Sequence, residues 1–215
     1  MTFTATLNPI QIRILGCLVE KQKTTPDQYP LSLNGLKNAC NQKTSRDPVM
    51  NCFEGEIGAA LNELESLQLV STQWSGRTAK YDHRLVRELE LQSPALAVLA
   101  TLMLRGPQTA AEIRSHCQRL HAFDDVDDVE YVLQRLQDRE PALVRQLPRQ
   151  PGQKEQRFVQ LLGGEPDPAT LSAASRPARI NSPLEQRVSE LEARLEQLQQ
   201  RVALLEDSQQ PADRH

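Results

Sequence analysis

The sequence predicts a mainly helical α+β fold in which helices alternate with small β-hairpins. Over the first 162 residues, apolar side chains recur at helical spacing, and two pairs of short β-prone runs flank polar turns. The chain is 39% hydrophobic but only 4% aromatic, which favours aliphatic cores between helices over a β-sandwich. At 215 residues it is long enough for two small domains with cores of their own.

The first two helices are marked by their start and stop signals. Asn8 and Pro9 are typical of a helix start, since Asn caps well and Pro is tolerated at the first helical position. This helix is expected to end before Pro26, because the residue preceding a proline avoids helical backbone. A short extended segment around Leu31 then leads to a second helix capped by Ser32.

A third helix and a hairpin complete the first half of the sequence. Helical periodicity within residues 49–70 predicts a third helix with a core of Phe53, Ile57, Ala60, Leu61, Leu64 and Leu67. Leu69–Thr72 and Ala79–His83 flank the turn signal Ser75-Gly76-Arg77, and so predict a hairpin. Helix, extended segment, two helices and hairpin follow one another in this order in winged-helix domains, where the hairpin is the wing and the third helix reads DNA.

The same order of elements recurs in the second half. Ser93, with the proline after it, is expected to cap a helix, and Thr109 with Glu112 forms the capping-box signature of the next one. A third helix rich in Val and Leu and two strand-like runs, Leu143–Leu147 and Arg157–Leu161, follow. The sequence therefore predicts two tandem winged-helix domains. Their predicted bounds are residues 1–88 and 89–162.

The remaining sequence predicts a linker and a coiled coil. Residues 163–181 are rich in Pro, Ala and Ser, which indicates a flexible linker, and residues 209–215 are expected to be disordered. Residues 182–208 carry apolar positions at alternating spacings of four and three, typical of a coiled-coil helix. Val at two of the three a positions, Val188 and Val202, and Leu at the d positions favour two strands, so a homodimer is expected. Its contact residues are Leu184, Val188, Leu191, Leu195, Leu198, Val202 and Leu205. The alternative is a helix that packs back onto the body of the protein.

Charge and cysteine content limit the classes of function. The net charge is −3 and the isoelectric point is about 5.9, so nucleic-acid contact requires local basic patches. No apolar run has the length of a membrane span, and the N-terminus lacks the pattern of a signal peptide, so a soluble cytoplasmic protein is expected. The four cysteines are irregularly spaced, which favours buried thiols over disulfides or zinc ligands.

Residues 18–50, LVEKQKTTPDQYPLSLNGLKNACNQKTSRDPVM, resemble the signature of the YceH family of uncharacterised bacterial proteins. The segments GRTAKYDHR, LMLRGPQTAAEIR and LPRQPGQKEQRF resemble the same family, and the similarity covers roughly residues 7–162. The resemblance implies tandem winged-helix domains in a cytoplasmic bacterial protein, and a coiled-coil tail suits the family. It supplies no catalytic residues.

The predicted third helices are poor candidates for reading DNA. Residues 49–70 contain four glutamates and no Lys or Arg, so repulsion from the phosphates opposes docking of this helix in a groove. Basic residues lie instead on the wings, which can contact the DNA backbone or minor groove, and in the turn Asn41–Pro48. The candidate nucleic-acid-binding residues are Lys43, Arg46, Arg77, Lys80, Arg84, Arg149 and Lys154. The alternative is that these charges are solvated or form ion pairs, and that the turn is structural.

No catalytic, cofactor-binding or metal-binding residues are predicted. The sequence lacks a Gly-rich phosphate loop, a nucleophile elbow and an H-E-x-x-H motif, and the spacing of His116, Cys117 and His121 fits no common zinc site. The favoured function is a non-catalytic, DNA-associated or transcription-related regulator that contacts DNA through its wings and the turn. The alternative is a scaffold that binds a partner protein through its acidic third helices, without DNA.

Overall fold

The computed structural model describes residues 5–76, 78–149, 153 and 155–165, which belong to one compact unit. Within them, seven α-helices combine with small antiparallel sheets, and six of these helices were predicted from the sequence. The helices are α1 (Pro9–Thr24), α2 (Leu33–Cys40), α3 (Glu54–Ser66), α4 (Leu85–Glu88), α5 (Ser93–Arg105), α6 (Ala110–Cys117) and α7 (Val126–Gln137). The strands are β1 (Leu31–Ser32), β2 (Val70–Ser75), β3 (Thr78–His83), β4 (Val144–Gln146) and β5 (Phe158–Gln160).

Helix α1 begins and ends where the sequence signals predicted. The Asn8 side chain accepts a hydrogen bond from the Gln11 backbone N–H at 3.0 Å, and the Gln11 side chain accepts one from the Asn8 N–H at 2.8 Å. This reciprocal capping box satisfies two N–H groups that a helix start leaves without partners. The helix ends at Thr24, two residues before Pro26.

The first sheet has the order β1-β3-β2 and is antiparallel throughout. Strands β2 and β3 pair from Val70 opposite His83 to Ser75 opposite Thr78, so the predicted hairpin is confirmed. Strand β2 extends further towards the turn than predicted. Its last residues are polar or exposed, and alternation of apolar side chains therefore does not reveal them.

The prediction for α3 is wrong at both ends. The inner positions of its expected core are buried, but Phe53 is 69% exposed and Leu67 is 39% exposed. The Glu56 carboxylate accepts the Phe53 N–H at 2.7 Å, which makes Phe53 the residue before the first helical turn. Periodicity identifies the apolar face of a helix, but it does not tell where the packed neighbours of that face end.

Helix α5 forms the centre of the core. Every residue from Leu96 to Leu104 is buried, because α5 packs against α1 on one side and against α6 and α7 on the other. The α1–α5 contact is close: a Cβ on Gly16 would lie 2.9 Å from Leu104 Cγ. The short helix α4, which precedes α5 and buries Leu85, was not predicted.

The second half repeats the order of the first. The predicted hairpin is confirmed as β4 and β5, with Val144 opposite Gln160. A single bridge from Gln108 to Phe158 precedes α6, as β1 precedes α2 in the first half. The predicted capping box of Thr109 and Glu112 is also confirmed. The predicted cap at Ser93 is wrong, because Gln92 occupies the capping position and Ser93 is the first residue of α5.

Several predictions lie outside the described residues. They are Arg77, Lys154, most of the predicted linker, and the coiled-coil positions Leu184, Val188, Leu191, Leu195, Leu198, Val202 and Leu205. The domain boundary between residues 88 and 89 remains a prediction. Among the helices of the described part, none has the length and apolar character needed to cross a membrane.

Candidate nucleic-acid interface

The connection between α2 and α3 contains two of the candidate residues and is closed by side-chain hydrogen bonds. The Asn41 amide donates to the Cys52 carbonyl at 2.9 Å, while its oxygen accepts the Cys52 N–H at 2.7 Å. These two bonds fix the ends of the segment between them. The connection is therefore an ordered loop of the first half.

Two buried arginines hold the connection from inside. Arg13 donates to the Cys40 carbonyl at 3.3 Å and to the Pro48 carbonyl at 2.6 Å, and Arg46 donates through Nε to the Ala39 carbonyl at 3.1 Å. Because the last carbonyls of a helix lack intrahelical partners, the two guanidinium groups cap the end of α2.

Arg46 is not available to a nucleic acid, which corrects its assignment as a DNA contact. Its side chain is 0% exposed and forms an ion pair with Glu20 at 2.6 Å. Burial by itself would raise the pKa of the Glu20 carboxyl, but the hydrogen bond and charge of Arg46, together with Lys21, outweigh burial and lower it. Arg46 is thus a structural anchor, as the alternative interpretation of this turn held.

The connection also binds the second half of the protein. The Asp47 N–H donates to the Leu104 carbonyl at 2.9 Å, and Arg105 donates to the Ser45 hydroxyl at 2.8 Å. Both partners lie at the C-terminal end of α5. The turn that was predicted to touch DNA therefore also joins the two halves, through Ser45 and Asp47.

Three of the candidate basic residues of the first half remain accessible for contact with a nucleic acid. Lys43 and Arg84 are exposed, and Lys80 is half-buried on β3, in register with Ser32 and Gln73. None of the three forms an ion pair within the described part of the chain. Their charges are not neutralised by the acidic helices.

The basic residues of the second half are partly neutralised. Arg149 is exposed, but Arg145 pairs with Glu165. Arg157 donates two hydrogen bonds of 2.9 Å to the Glu112 carboxylate and so ties the hairpin to α6. Less positive charge is therefore available at this hairpin than the sequence suggested.

The exposed face of α3 is acidic in the structure. Its four carboxylates are all exposed, and only Glu54 has a basic partner, Lys37 at 3.8 Å. The remaining three accept single hydrogen bonds from neutral donors, as Glu63 does from the Gln11 amide at 2.6 Å. Those bonds orient the carboxylates without removing their charge.

Three large exposed apolar side chains were missed from the sequence. Trp74 on β2 is 73% exposed, Phe53 before α3 is 69% exposed, and Val49 in the connection is 55% exposed. Trp74 stands between polar residues of a strand, a local signal that was available. For Phe53 the periodic pattern favoured burial, so only the structure shows that it faces solvent.

His83 and the four cysteines are buried in the protein interior, which indicates a structural role for them. His83 is buried, its Nε2 lies 3.0 Å from the Gln22 amide oxygen, and burial lowers the pKa of His83 to about 4. All four cysteines are free and buried, as predicted, and burial raises the pKa of Cys117 to about 11. Residues 5–76, 78–149, 153 and 155–165 contain no group of His, Cys, Asp and Glu that could hold a metal ion.

The chain belongs to a family of bacterial proteins described as "Protein of unknown function, DUF480", which matches residues 7–153. A UPF0502 protein of Geotalea daltonii is 53% identical over 165 residues, covering 76% of this chain and 76% of the relative. A UPF0502 protein of Leptothrix cholodnii is 48% identical, and the match covers 94% of this chain and 91% of the relative. A UPF0502 protein of Shewanella loihica is 46% identical, and the match covers 91% of this chain and 95% of the relative. Membership of an uncharacterised bacterial family, inferred from the sequence, is thereby confirmed.

Proposed function

We propose that the chain is a YceH-type tandem winged-helix protein that acts without catalysis, as an adaptor for a basic partner protein. The docking surface is the exposed face of α3 with the two apolar residues before it, Val49 and Phe53. The observation that carries this proposal is the combination of an acidic, exposed third helix with large apolar side chains at its start. The protein-binding alternative is therefore preferred over direct DNA reading by this helix.

Electrostatics opposes DNA and favours a basic protein at this face. Three glutamates of α3 have no cationic partner within the described residues, so their charge remains. Two like charges 4 Å apart repel by about 1 kcal/mol in water and by more near a protein surface. A DNA backbone would meet this repulsion and forfeit counterion release, whereas Lys and Arg side chains of a partner would be attracted.

Shape and apolar area support a protein contact at the same face. Gly55 and Gly58 lie one turn apart on α3, and a Cβ at either would meet nothing within 4 Å. A partner backbone can therefore approach the helix closely between the glutamates. Exposed aromatic anchors such as Phe53 contribute most of the binding energy at many interfaces. The expected partner segment carries aliphatic or aromatic side chains flanked by Lys or Arg.

The proposed coiled coil would present two copies of this surface. If residues 182–208 dimerise through Leu184, Val188, Leu191, Leu195, Leu198, Val202 and Leu205, a partner with two sites gains avidity without any new contact. Light scattering tests this part separately, because removal of residues 182–215 is expected to halve the mass. An unchanged mass would contradict the dimer and leave the α3 surface untouched.

Site-specific photo-crosslinking tests the docking surface. A photoreactive amino acid at Ala59, which is exposed on α3, is expected to form one discrete adduct with a basic protein in the native bacterium. Phe53→Ala and Glu54→Lys should each abolish that adduct. Glu130→Lys reverses an exposed carboxylate on α7 and serves as the matched control, which should retain it. Adducts that are absent, or unaffected by both α3 variants, would overturn the proposal.

A wing-led contact with nucleic acid is the second candidate function. It is favoured by Trp74, which is 73% exposed on the first wing and available to stack on a base or pack against a sugar, and by the ion-pair-free Lys43, Lys80 and Arg84. Mobility shifts at low salt should weaken in Arg84→Ala and Trp74→Ala, and binding should fall steeply as salt rises. No shift with any genomic fragment at low salt would eliminate this candidate.

A further inference from the structure

A cleft of about 420 Å³ lies in the second half, outside both surfaces described above. Helix α7 forms one wall, and the start of α5 with the segment before α7 forms the other. A concave site with an apolar middle and a few convergent charged groups is typical of small-ligand binding. Nothing in the proposed function uses this cleft.

The α7 wall changes in character from one end to the other. Its lining residues Asp128, Tyr131, Val132 and Arg135 are spaced by three and four, so they share one face of the helix. The N-terminal end is acidic, the middle is aromatic and aliphatic, and the C-terminal end is basic. The cleft therefore carries negative charge at one end and positive charge at the other.

The acidic end consists of Asp124 and Asp128. Both line the cleft, both are exposed, and neither forms an ion pair with any residue that the structure describes. Arg114 donates to the backbone carbonyl of Asp124 at 2.6 Å, so one guanidinium lies close to this pair. Two carboxylates with one nearby positive charge leave an excess negative charge, which attracts a cation or a protonated amine.

The basic end consists of Arg135 and Arg139. Arg139 donates one hydrogen bond to the Leu89 carbonyl at 2.7 Å, and its other N–H groups have no acceptor among the residues that the structure describes. Glu90 also lines this end, so one positive charge is in excess here. The Arg135 guanidinium lies 5.9 Å from the centre of the Tyr131 ring, which positions it beside the apolar middle.

The middle of the cleft offers apolar contact. Phe123 is buried and packs edge-on against His121 with 4.7 Å between ring centres. Tyr131 is 64% exposed, although the Arg135 guanidinium lies over its ring. Pro94 and Val132 line the same region. A ligand seated here would cover the Tyr131 ring and gain the corresponding apolar burial.

We infer that this cleft binds a short zwitterionic molecule with an apolar middle, such as a free tripeptide. The seven-residue separation of Asp128 and Arg135 on α7 corresponds to about 10 Å along the helix axis. An extended chain of three residues spans about the same distance. Its amino terminus would meet the acidic end, its carboxylate the two arginines, and its central side chain Tyr131 and Val132.

Calorimetric titration of the full-length protein with alanyl-leucyl-alanine tests the inference. We expect binding by the peptide with free termini, and about a tenfold loss of affinity when either terminus is blocked by acetylation or amidation. Asp128→Asn should reduce the loss of affinity that acetylation causes, and Arg135→Gln should reduce the loss that amidation causes, because one charged residue remains at each end. All variants replace exposed side chains, so folding is expected to be preserved.

Two matched controls separate the cleft from general surface charge. Asp127→Asn alters the neighbouring exposed carboxylate that does not line the cleft, and Arg119→Gln alters an exposed arginine elsewhere in the second half. Both should bind the peptide like the wild type. No binding at millimolar concentration, or equal affinity for free and blocked peptides, would overturn the inference. Crosslinking at α3 is independent of either result.

Discussion

The guanidinium of Arg46 donates two hydrogen bonds to the carboxylate of Glu20, from Nη1 to Oε1 at 3.0 Å and from Nη2 to Oε2 at 2.6 Å. This fork joins the α2–α3 connection to α1 from inside the protein. A bidentate pair of this kind fixes geometry as well as energy. The same connection binds the end of α5 through Asp47 and Ser45, so one segment links three helices.

Removing Arg46 should be strongly destabilising. Arg46→Ala leaves the partly buried Glu20 carboxylate with only Lys21, at 3.4 Å, and removes the donor to the Ala39 carbonyl. The expected loss is about 3 kcal/mol in the free energy of unfolding. Urea denaturation followed by circular dichroism measures it. Lys43→Ala, an exposed neighbour in the same connection, is the control and should change stability by less than about 0.5 kcal/mol. Equal effects of the two substitutions would show that the ion pair does not anchor the loop.

His83 should make stability depend on pH. Burial lowers its pKa to about 4 in the folded protein, below the ordinary value of 6.5. Between these values the unfolded chain binds the proton more readily, so stability is full above about pH 6.5 and falls as pH drops towards 4. The expected loss attributable to His83 between pH 7 and pH 5 is about 2 kcal/mol.

The measurement is the free energy of unfolding at pH 7 and at pH 5 for wild type and His83→Gln. The variant should lose less stability between the two pH values by about the amount assigned to His83. His121→Gln replaces a histidine elsewhere and should retain the wild-type dependence. A His83→Gln protein with the full wild-type dependence would contradict the assignment.

The close contact of α1 and α5 should not tolerate a larger residue at Gly16. A Cβ there would lie 2.9 Å from two atoms of Leu104 and 3.2 Å from Met103 Cβ, so the helices must move apart. Gly16→Ala is expected to cost about 1–3 kcal/mol, despite the better helix propensity of alanine. Thermal and urea denaturation both report the change.

Gly58→Ala adds the same methyl group to a helix but is expected to stabilise the protein, in contrast to Gly16→Ala. Gly58 lies within α3, where a Cβ would meet nothing within 4 Å, so the substitution should stabilise by about 0.5–1 kcal/mol. If Gly16→Ala stabilised the protein as Gly58→Ala is expected to do, the close approach of α1 and α5 would be wrong.

Much of the fold was predictable from local signals. Asn8, Ser32 and Thr109 cap helices where the sequence placed the caps, because a capping side chain acts on backbone groups only two or three residues away. The two hairpins were likewise predictable from β-prone runs around a turn. Helix α4 was missed, since a single turn is too short to show a period.

The candidate site was predicted less well. Composition correctly indicated that the third helices are acidic, because that depends on residue identity alone. Residue identity did not show whether Arg46, Lys43 and Arg84 are exposed to solvent, since all three are basic residues in polar stretches of the sequence. Arg46 is buried and the other two are exposed only because of how distant elements pack.

The sequence by itself determined the element order except for α4, the caps at Asn8, Ser32 and Thr109, the acidic character of α3 and the family. Tertiary structure alone decided that Arg46 pairs with Glu20, that Phe53 faces solvent, and that the lining of the α7 cleft is acidic at one end and basic at the other. The physical reason is the separation along the chain of the residues that interact. Caps and turns act within a few residues, whereas burial and ion pairing depend on contacts between residues far apart in the chain.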